Sequence, residues 1–312
     1  MEISIKEMAK KIVSYPEICI IYHVRPDGDC IGSAYALSLA LKSLGLKVSV
    51  NGTYDIPPAY LYMTDRVMND VLTDPVYVLV DTSTPDRAGE YENCHFTFCI
   101  DHHRNNTVEA DYKYVEEDCG ACSEIIYKLI KEMNVTVTKE MADFMYAALV
   151  TDTLCFRTSD TNSQSFEIAS KLAASGADVY GIGRRLMFVK SEGRMKIENF
   201  LTKSLHFTCD NKIVTGIIML DDLNKAGILD SELEGINSFV EQIEGIRIGV
   251  TIRELPDGKM RCSMRTNGEI PASEICSHFG GGGHFHAASC ILDTDVISAR
   301  NIMENECRKY LL

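Results

Sequence analysis

The chain has 312 residues, of which 46% are hydrophobic and 24% charged. This composition is average for a soluble globular protein, so disordered, collagen-like and coiled-coil classes are disfavoured, and the length suits two domains. Because 31 basic residues face 45 acidic ones, the net charge is −14, and counterion release alone should not hold duplex nucleic acid. An anionic substrate would need a local positive charge, for which a bound metal ion is the obvious source.

In chain order, the first half of the sequence alternates short apolar strands with helical patterns. Strands are predicted at 17–22, 76–80 and 96–100, and helices at 33–44, 122–133, 139–150 and 163–175. The first helix should stop at Gly45, a residue type that commonly ends helices. Continuous apolar strands alternating with helices predict an α/β domain, with a parallel sheet and helices on both faces.

The second half of the sequence predicts a smaller α/β domain. Residues 188–200 are polar and are predicted to link a first domain at 1–187 to a second at 201–312. Strands are expected at 212–220, 246–254 and 259–265, the last two forming a hairpin around Pro256-Asp257-Gly258. A helix at 271–279, a glycine run and a final helix at 295–310 complete the chain.

The sequence predicts a cytoplasmic protein without membrane contact. No apolar run approaches the roughly 18 residues that span a bilayer, and the N-terminus lacks the apolar core of a signal peptide. The 12 cysteines are scattered, some within apolar strands, as expected of reduced core thiols. Cys119 and Cys122 form a C-x-x-C, but no second pair follows at zinc-finger spacing, so a structural role is favoured over zinc or redox chemistry.

Side chains that bind metal ions follow each predicted strand of the first domain. They are His23, Asp27 and Asp29 after the first strand, Asp81 after the second, Asp101, His102 and His103 after the third, and Asp152 after the helix at 139–150. A lone aspartate in such a place is usually a turn residue or a helix cap. Because the pattern recurs at three strand ends, where ligands of open α/β sheets bind, a metal site is the better interpretation.

The types of these side chains indicate which ions they would hold. Carboxylates and imidazoles without thiolates favour Mn²⁺, with Mg²⁺, Co²⁺ or Fe²⁺ as alternatives, over a closed zinc site. Four aspartates and two histidines from this set would already be too many for one ion that keeps open positions. They suit two ions about 3.5–4 Å apart, which could clamp a phosphoryl group and activate water.

These motifs resemble those of the DHH phosphoesterase family. The matching segments are His23-x-x-x-Asp27-x-Asp29, Asp81-Thr82-Ser83, Asp101-His102-His103 and Thr151-Asp152-Thr153, followed by the glycine-rich Gly280–Ala288 of a DHH-associated second domain. The layout is most similar to the nanoRNase/pAp phosphatase branch. That resemblance implies an exonuclease that cleaves short oligoribonucleotides to 5′-mononucleotides and also converts 3′-phosphoadenosine 5′-phosphate (pAp) to AMP and phosphate.

The resemblance also implies a role for each motif residue. His23, Asp27 and Asp81 would hold one ion; Asp29, Asp81, His102 and Asp152 would hold the other, with Asp81 bridging. His103 would face the phosphate as a general acid or charge stabiliser, and Asp101 would orient a ligand. Gly28 is interpreted as a tight turn that lets Asp27 and Asp29 reach different ions.

Substrate contacts are expected from both domains. In the second domain the resemblance implies phosphate binding by Arg265 and His284, and close backbone approach at Gly281, Gly282 and Gly283. Arg87 and Arg157 lie near the second and fourth motifs and are candidates for substrate contact, with structural salt bridges as the alternative. The expected substrates are short, flexible single strands and nucleotides, and a homodimer is expected by family analogy only.

Other functions remain open at this stage. A phosphodiesterase of cyclic di-AMP or its linear product pApA is the nearest alternative, and a non-catalytic nucleotide-binding protein is a more distant one. Inorganic pyrophosphatase is disfavoured because Thr266-Asn267 follow Arg265 where those relatives carry basic residues. A dehydrogenase is excluded because no G-x-G-x-x-G follows the first strand.

Overall fold

The structure, a computed structural model, describes residues 1–233 and 235–311. The chain divides into two compact units, Met1–Val189 and Lys190–Leu312. Each unit has a sheet and hydrophobic clusters of its own. Across the described part of the chain, no helix combines the length and apolar character needed to cross a bilayer.

The first unit is built on a five-stranded parallel sheet. Its strands are β1 (Glu17–Ile21), β2 (Lys47–Asn51), β3 (Val76–Val80), β4 (Phe96–Asp101) and β5 (Tyr112–Val115), in the order β2-β1-β3-β4-β5. The three apolar strands predicted from the sequence are confirmed as β1, β3 and β4. The other two, β2 and β5, are the outer strands, whose weaker apolar patterns were not recognised as strands.

Seven α-helices accompany this sheet among the described residues. They are α1 (Ile5–Ile12), α2 (Gly28–Ser43), α3 (Pro58–Thr64), α4 (Cys122–Glu132), α5 (Lys139–Asp152), α6 (Ser163–Ala174) and α7 (Val179–Gly183). Side chains of these helices join Ile18 and Ile20 of β1 in one buried cluster. The opposite face, with Cys19 and Ile21, is covered by the 3₁₀ helix Pro85–Tyr91 and the chain around Val108. Both faces are therefore covered as predicted, but α-helices cover only one of them.

Helix α2 begins five residues before the predicted start at 33. The reason is Asp27, whose Oδ1 accepts hydrogen bonds from the backbone N–H groups of Asp29 and Cys30 at 3.1 Å each and so caps the helix. Gly28 is thus a helical residue, not the turn expected from the sequence. A Cβ on Gly28 would lie 2.2 Å from Thr151 Oγ1, so this glycine is needed for the close approach of α5.

The second unit contains a six-stranded mixed sheet. Its elements are α8 (Glu192–Ser204), β6 (His206–Thr208), β7 (Ile213–Ile218), α9 (Leu220–Ala226), β8 (Ile248–Glu254), β9 (Met260–Thr266), α10 (Ala272–Ser277), β10 (Gly282–Gly283), β11 (Ala287–Leu292) and α11 (Val296–Arg308). The strand order is β10-β11-β9-β8-β7-β6, with only β7 and β8 parallel. The predicted hairpin is confirmed as β8 and β9.

The segment predicted as a linker, 188–200, is largely helical. Helix α8 occupies Glu192–Ser204 and buries Ile197 and Leu201 in a cluster of the second unit. The compact second unit begins at Lys190. Polar residues on the outer face of α8 explain why the sequence there resembles a linker.

Candidate metal centre

The strand ends of the first unit bring the predicted ligands together. His23 follows β1, Asp81 follows β3, and His102 follows β4. Since all five strands are parallel, these residues leave the sheet at one edge. Three groups of neighbouring side chains there could each hold a metal ion: His23, Asp27, Cys30 and Asp81; Asp29, His102 and Asp152; and Asp81, His102 and His103.

His23 presents one ring nitrogen to the first group. Its Nδ1 lies 2.9 Å from the backbone oxygen of Val24, which fixes that nitrogen as a donor. Nε2 faces two carboxylates, 3.4 Å from Asp27 Oδ2 and 3.7 Å from Asp81 Oδ2. The side chain is only 1% exposed, and Nε2 has no hydrogen-bond partner among the described residues. A buried lone pair aimed at carboxylates is what a metal-binding imidazole requires.

His102 has the same arrangement on the other side. Its Nδ1 lies 3.0 Å from the backbone oxygen of Cys119, and its Nε2 lies 3.4–3.7 Å from oxygens of Asp29, Asp81 and Asp152. Burial lowers the pKa of His102, but these three carboxylates outweigh it and raise the pKa to about 10. The imidazole therefore lies in a concentrated negative field.

Asp29 is the most firmly held carboxylate of the site. It accepts hydrogen bonds from the backbone N–H groups of Cys122 and Ser123, at 2.5 and 3.1 Å, and from Ser33 Oγ at 3.0 Å. Burial, together with the charge of Asp81, nevertheless raises the pKa of Asp29 to about 7. Carboxylates gathered this closely lack positive charge, and a divalent cation would supply it.

Asp81 lies between the two histidines. Its Oδ1 is 3.4 Å from His102 Nε2 while Oδ2 is 3.7 Å from His23 Nε2. The residue has a left-handed φ of 55° and is buried, and its Oδ1 is a second atom without a hydrogen-bond partner in the described chain. A left-handed φ at a residue other than glycine costs about 1–3 kcal/mol of conformational energy, and such residues cluster at functional sites. The position suits a ligand shared by two ions.

His103 is held by a different contact. Its Nδ1 lies 2.7 Å from Asp101 Oδ1, and Asp101 Oδ2 accepts a 2.5 Å hydrogen bond from Asn106 Nδ2. Burial lowers the pKa of His103, but the hydrogen bond to Asp101 and the charges of Asp81 and Asp101 together outweigh it and raise the pKa. Asp101 thus orients His103 directly, whereas the family resemblance implied that Asp101 orients an unspecified metal ligand.

The predicted substrate-binding arginines of the first unit differ in position. Arg87 is half-buried, its backbone oxygen accepts a 2.7 Å hydrogen bond from Val24 N–H, and its charge acts on Asp27. Arg157 is exposed, and its Nε donates to the backbone oxygen of Leu154 at 2.7 Å. Arg87 is therefore near the first group, while Arg157 belongs to the loop after Asp152.

The predicted contacts of the second unit lie together at one end of its sheet. Arg265 on β9 is paired with Ala287 on β11, and Gly282 and Gly283 form β10 beside β11. His284 is exposed just beyond β10. A Cβ on Gly281 would lie 2.2 Å from the backbone oxygen of Ser289, so close strand packing requires glycine there. Burial lowers the pKa of Arg265.

Several contacts of the site were not recognised in the sequence. Ser33 holds Asp29, and Asn106 holds Asp101. Cys30 joins the first group, although no cysteine was predicted at the site from the sequence. The C-x-x-C serves the site through its backbone, since the oxygen of Cys119 and the N–H of Cys122 bind His102 and Asp29. Spacing within a motif was the only available signal, and it does not reveal backbone contacts.

Comparisons with known proteins agree with this architecture. Residues 17–149 match the model of the DHH family, N-terminal domain, and residues 210–308 match that of the DHHA1 domain. The first match ends before Asp152 and contains the other five predicted metal ligands. The two matches fall in the two compact units.

Curated relatives and one solved structure span nearly the whole chain. The "Bifunctional oligoribonuclease and PAP phosphatase NrnA" of Thermus thermophilus is 28% identical over 284 residues, covering 88% of this chain and 84% of that protein. The protein of the same name from Bacillus subtilis is 26% identical over 285 residues, covering 89% and 90%. The crystal structure of an exopolyphosphatase-related protein from Bacteroides fragilis has a TM-score of 0.87 at 23% identity, covering 98% of this chain and 96% of that one, which shows a shared fold.

Proposed function

Because the chain belongs to the DHH family and joins that domain to a DHHA1 domain, we propose that it is a hydrolase of phosphoesters. Its proposed substrates are short single-stranded oligoribonucleotides, cleaved to 5′-mononucleotides, and pAp, cleaved to AMP and phosphate. The names of the relatives from Thermus thermophilus and Bacillus subtilis support both substrates. The observation that carries the proposal is the meeting of imidazole and carboxylate groups at one sheet edge.

The proposal assigns two divalent ions to this edge. His23, Asp27 and Asp81 would hold one, and Asp29, Asp81, His102 and Asp152 the other. The unpartnered His23 Nε2 and Asp81 Oδ1, both buried, fit such ions, and the nitrogen and oxygen donors favour Mn²⁺, with Mg²⁺ or Co²⁺ as alternatives. When bound, such a pair supplies positive charge to phosphoryl oxygens and lowers the pKa of water.

Residues of the chain would supply the remaining functions. His103, whose Nδ1 is bound to Asp101, would present Nε2 to the substrate and protonate the leaving oxygen or stabilise the phosphoryl charge. Arg87 would attract the anionic substrate beside the first group. Such local positive charge offsets the net charge of −14, which would otherwise repel phosphate.

The second unit is proposed to bind the rest of the substrate. Arg265 suits planar, bidentate recognition of phosphate. His284 is exposed, and its backbone N–H donates at 2.8 Å to the oxygen of Ala287, which is the β11 partner of Arg265. A Cβ built on Gly282 would have no atom within 4 Å, so a nucleotide could approach the backbone of Gly281–Gly283 there. Division of metal and substrate binding between two domains, at 1–187 and 201–312, completes the proposal.

A substrate panel tests the proposal. The purified protein is incubated with Mn²⁺, Mg²⁺ or Co²⁺ and with pAp, a diribonucleotide, pApA or cyclic di-AMP, and the products are separated by chromatography. We expect turnover of pAp and the diribonucleotide, fastest with Mn²⁺. A clear preference for cyclic di-AMP would replace this proposal with a cyclic-dinucleotide phosphodiesterase, and nucleotide binding without turnover or bound metal would indicate a sensor.

A further inference from the structure

A single peptide group connects His102 to a buried carboxylate behind it. The oxygen of the Cys119–Gly120 peptide lies 3.0 Å from His102 Nδ1, and the N–H of the same peptide donates to Glu124 Oε1 at 3.2 Å. Because the oxygen and the hydrogen of a trans peptide point in opposite directions, Glu124 and His102 lie on opposite sides of this peptide group. Contacts that hold Glu124 in place therefore also hold the Cys119 oxygen that accepts from His102.

Glu124 is itself fully buried and well held. Its Oε1 also accepts from Ser165 Oγ at 2.7 Å, and its Oε2 accepts from Gln164 Nε2 at 2.9 Å. All three hydrogen bonds come from donors, so the carboxyl group acts only as an acceptor. Accepting from the Gly120 N–H polarises the peptide and makes the oxygen facing His102 a stronger acceptor.

Close contacts on several sides hold the loop that carries this peptide in one orientation. A Cβ on Gly120 would lie 3.0 Å from Ser165 Oγ, 3.1 Å from Glu124 Oε1 and 3.1 Å from the Thr153 methyl group. One residue before Cys119, the backbone oxygen of Asp118 accepts a 2.7 Å hydrogen bond from Asn162 Nδ2. The loop is thus enclosed by the start of α6, the end of α5 and the first turn of α4.

We infer that Glu124 is a positioning residue for the metal centre, acting through the Cys119–Gly120 peptide on His102. This inference rests on the proposed function, since it concerns the ion assigned to Asp29, His102 and Asp152. A carboxylate behind a metal-bound histidine fixes its ring and raises its basicity; here one peptide group is inserted between the two. The ion assigned to His23 and Asp27 has no such connection to Glu124 among the contacts of the described residues.

The test compares Mn²⁺ binding by the wild-type protein and by Glu124→Gln, an isosteric change that removes the charge and one acceptor. Removing a partner behind a ligand typically costs 10- to 100-fold in metal affinity. We therefore expect one of the two Mn²⁺ binding steps, resolved by calorimetry and by electron paramagnetic resonance, to weaken about 10-fold while the other changes less than twofold. Excess Mn²⁺ should restore hydrolysis by the variant.

Glu304→Gln provides a matched control. Glu304 is also a buried carboxylate, bonded to Thr215 Oγ1 and His206 Nδ1 at 2.8 Å each, but it lies in the second unit. The Glu304→Gln variant should bind Mn²⁺ in both steps with wild-type affinity. A Glu124→Gln protein that melts earlier yet binds both ions as the wild type does would show a merely structural role. Equal weakening of both steps would also overturn the inference. A wild-type protein that does not bind two ions would instead contradict the proposed function.

Discussion

At the scale of single residues, three side chains of the site divide their polar atoms between two tasks. Nδ1 of both His23 and His102 is bound to a backbone oxygen, while Nε2 faces carboxylates. Asp27 follows the same pattern, with Oδ1 capping α2 and Oδ2 near His23. The folded chain therefore orients these proposed ligands in advance, which would reduce the entropy lost when an ion binds.

Asp81→Asn tests the shared ligand. The change keeps the shape of the side chain but removes the charge between His23 and His102, so the variant should fold yet lose hydrolysis. The loss should exceed the roughly 100-fold seen when a residue behind a ligand is removed, and Mn²⁺ should no longer raise the melting temperature. Asp74→Asn, at the exposed opposite end of β3, should behave as the wild type. Hydrolysis by Asp81→Asn at the wild-type rate would contradict the proposed pair of metal ions.

Asp101→Asn separates the orientation of His103 from metal binding. Without the 2.7 Å contact between the Asp101 carboxylate and Nδ1, His103 loses its fixed ring orientation and hydrolysis should fall about 10- to 100-fold. Mn²⁺ affinity should stay as in the wild type, since neither residue is assigned to an ion. A parallel loss of Mn²⁺ affinity in titrations would show instead that Asp101 supports a ligand.

At the scale of elements, the centre depends on the close packing of α2 against α5. Asp27 and Asp29 lie at the start of α2, and Asp152 is the last residue of α5. A Cβ on Gly32 would lie 2.4 Å from the backbone oxygen of Phe144. Glycine at this helical position therefore sets how near Asp152 comes to the other ligands.

Gly32→Ala should lower the stability of the protein. The added methyl group meets backbone, which cannot yield as a side chain can, and such overpacking costs about 1–3 kcal/mol. Urea unfolding of the metal-free protein, followed by circular dichroism, measures the change. Gly183→Ala is the control, because that glycine ends helix α7 with no atom within 4 Å of the new Cβ. If both variants unfold at the same urea concentration as the wild type, close packing of α2 and α5 is not limiting.

At the scale of the whole molecule, the two units carry different parts of the proposed function. The predicted metal ligands all fall in Met1–Val189, and Arg265 and His284 fall in Lys190–Leu312. Each unit has separate hydrophobic clusters. Binding an ion should therefore stabilise the first unit without directly stabilising the second.

Hydrogen exchange checks this division. Adding Mn²⁺ to the metal-free protein should slow amide exchange around His23, Asp81 and His102 and in 119–123, because the ions would hold these segments together. Amides of β7, β8 and β9 should exchange at unchanged rates. Protection that appears first in the second sheet, or nowhere, would contradict the assignment of the ions to the first unit.

The sequence alone determined the order and type of most elements, and it predicted which imidazole and carboxylate side chains would meet at one edge of the sheet. Short apolar runs rich in valine, such as 76–80, favour buried strands, and parallel strands deliver the residues that follow them to one edge. Weakly apolar outer strands such as β2 and β5 gave no comparable signal, because β propensity depends on neighbours in the sheet.

Only the tertiary structure decided how those side chains are held. The helix cap at Asp27, the contact of Gly28 with Thr151, and the backbone groups of Cys119 and Cys122 that hold His102 and Asp29 join residues as far apart in the chain as Gly28 and Thr151. Hydrogen bonds to backbone groups cannot be predicted from residue types, because every residue except proline offers the same N–H and C=O. Residue spacing could therefore name the candidate ligands, whereas their orientation followed from the packing of the helices on the sheet.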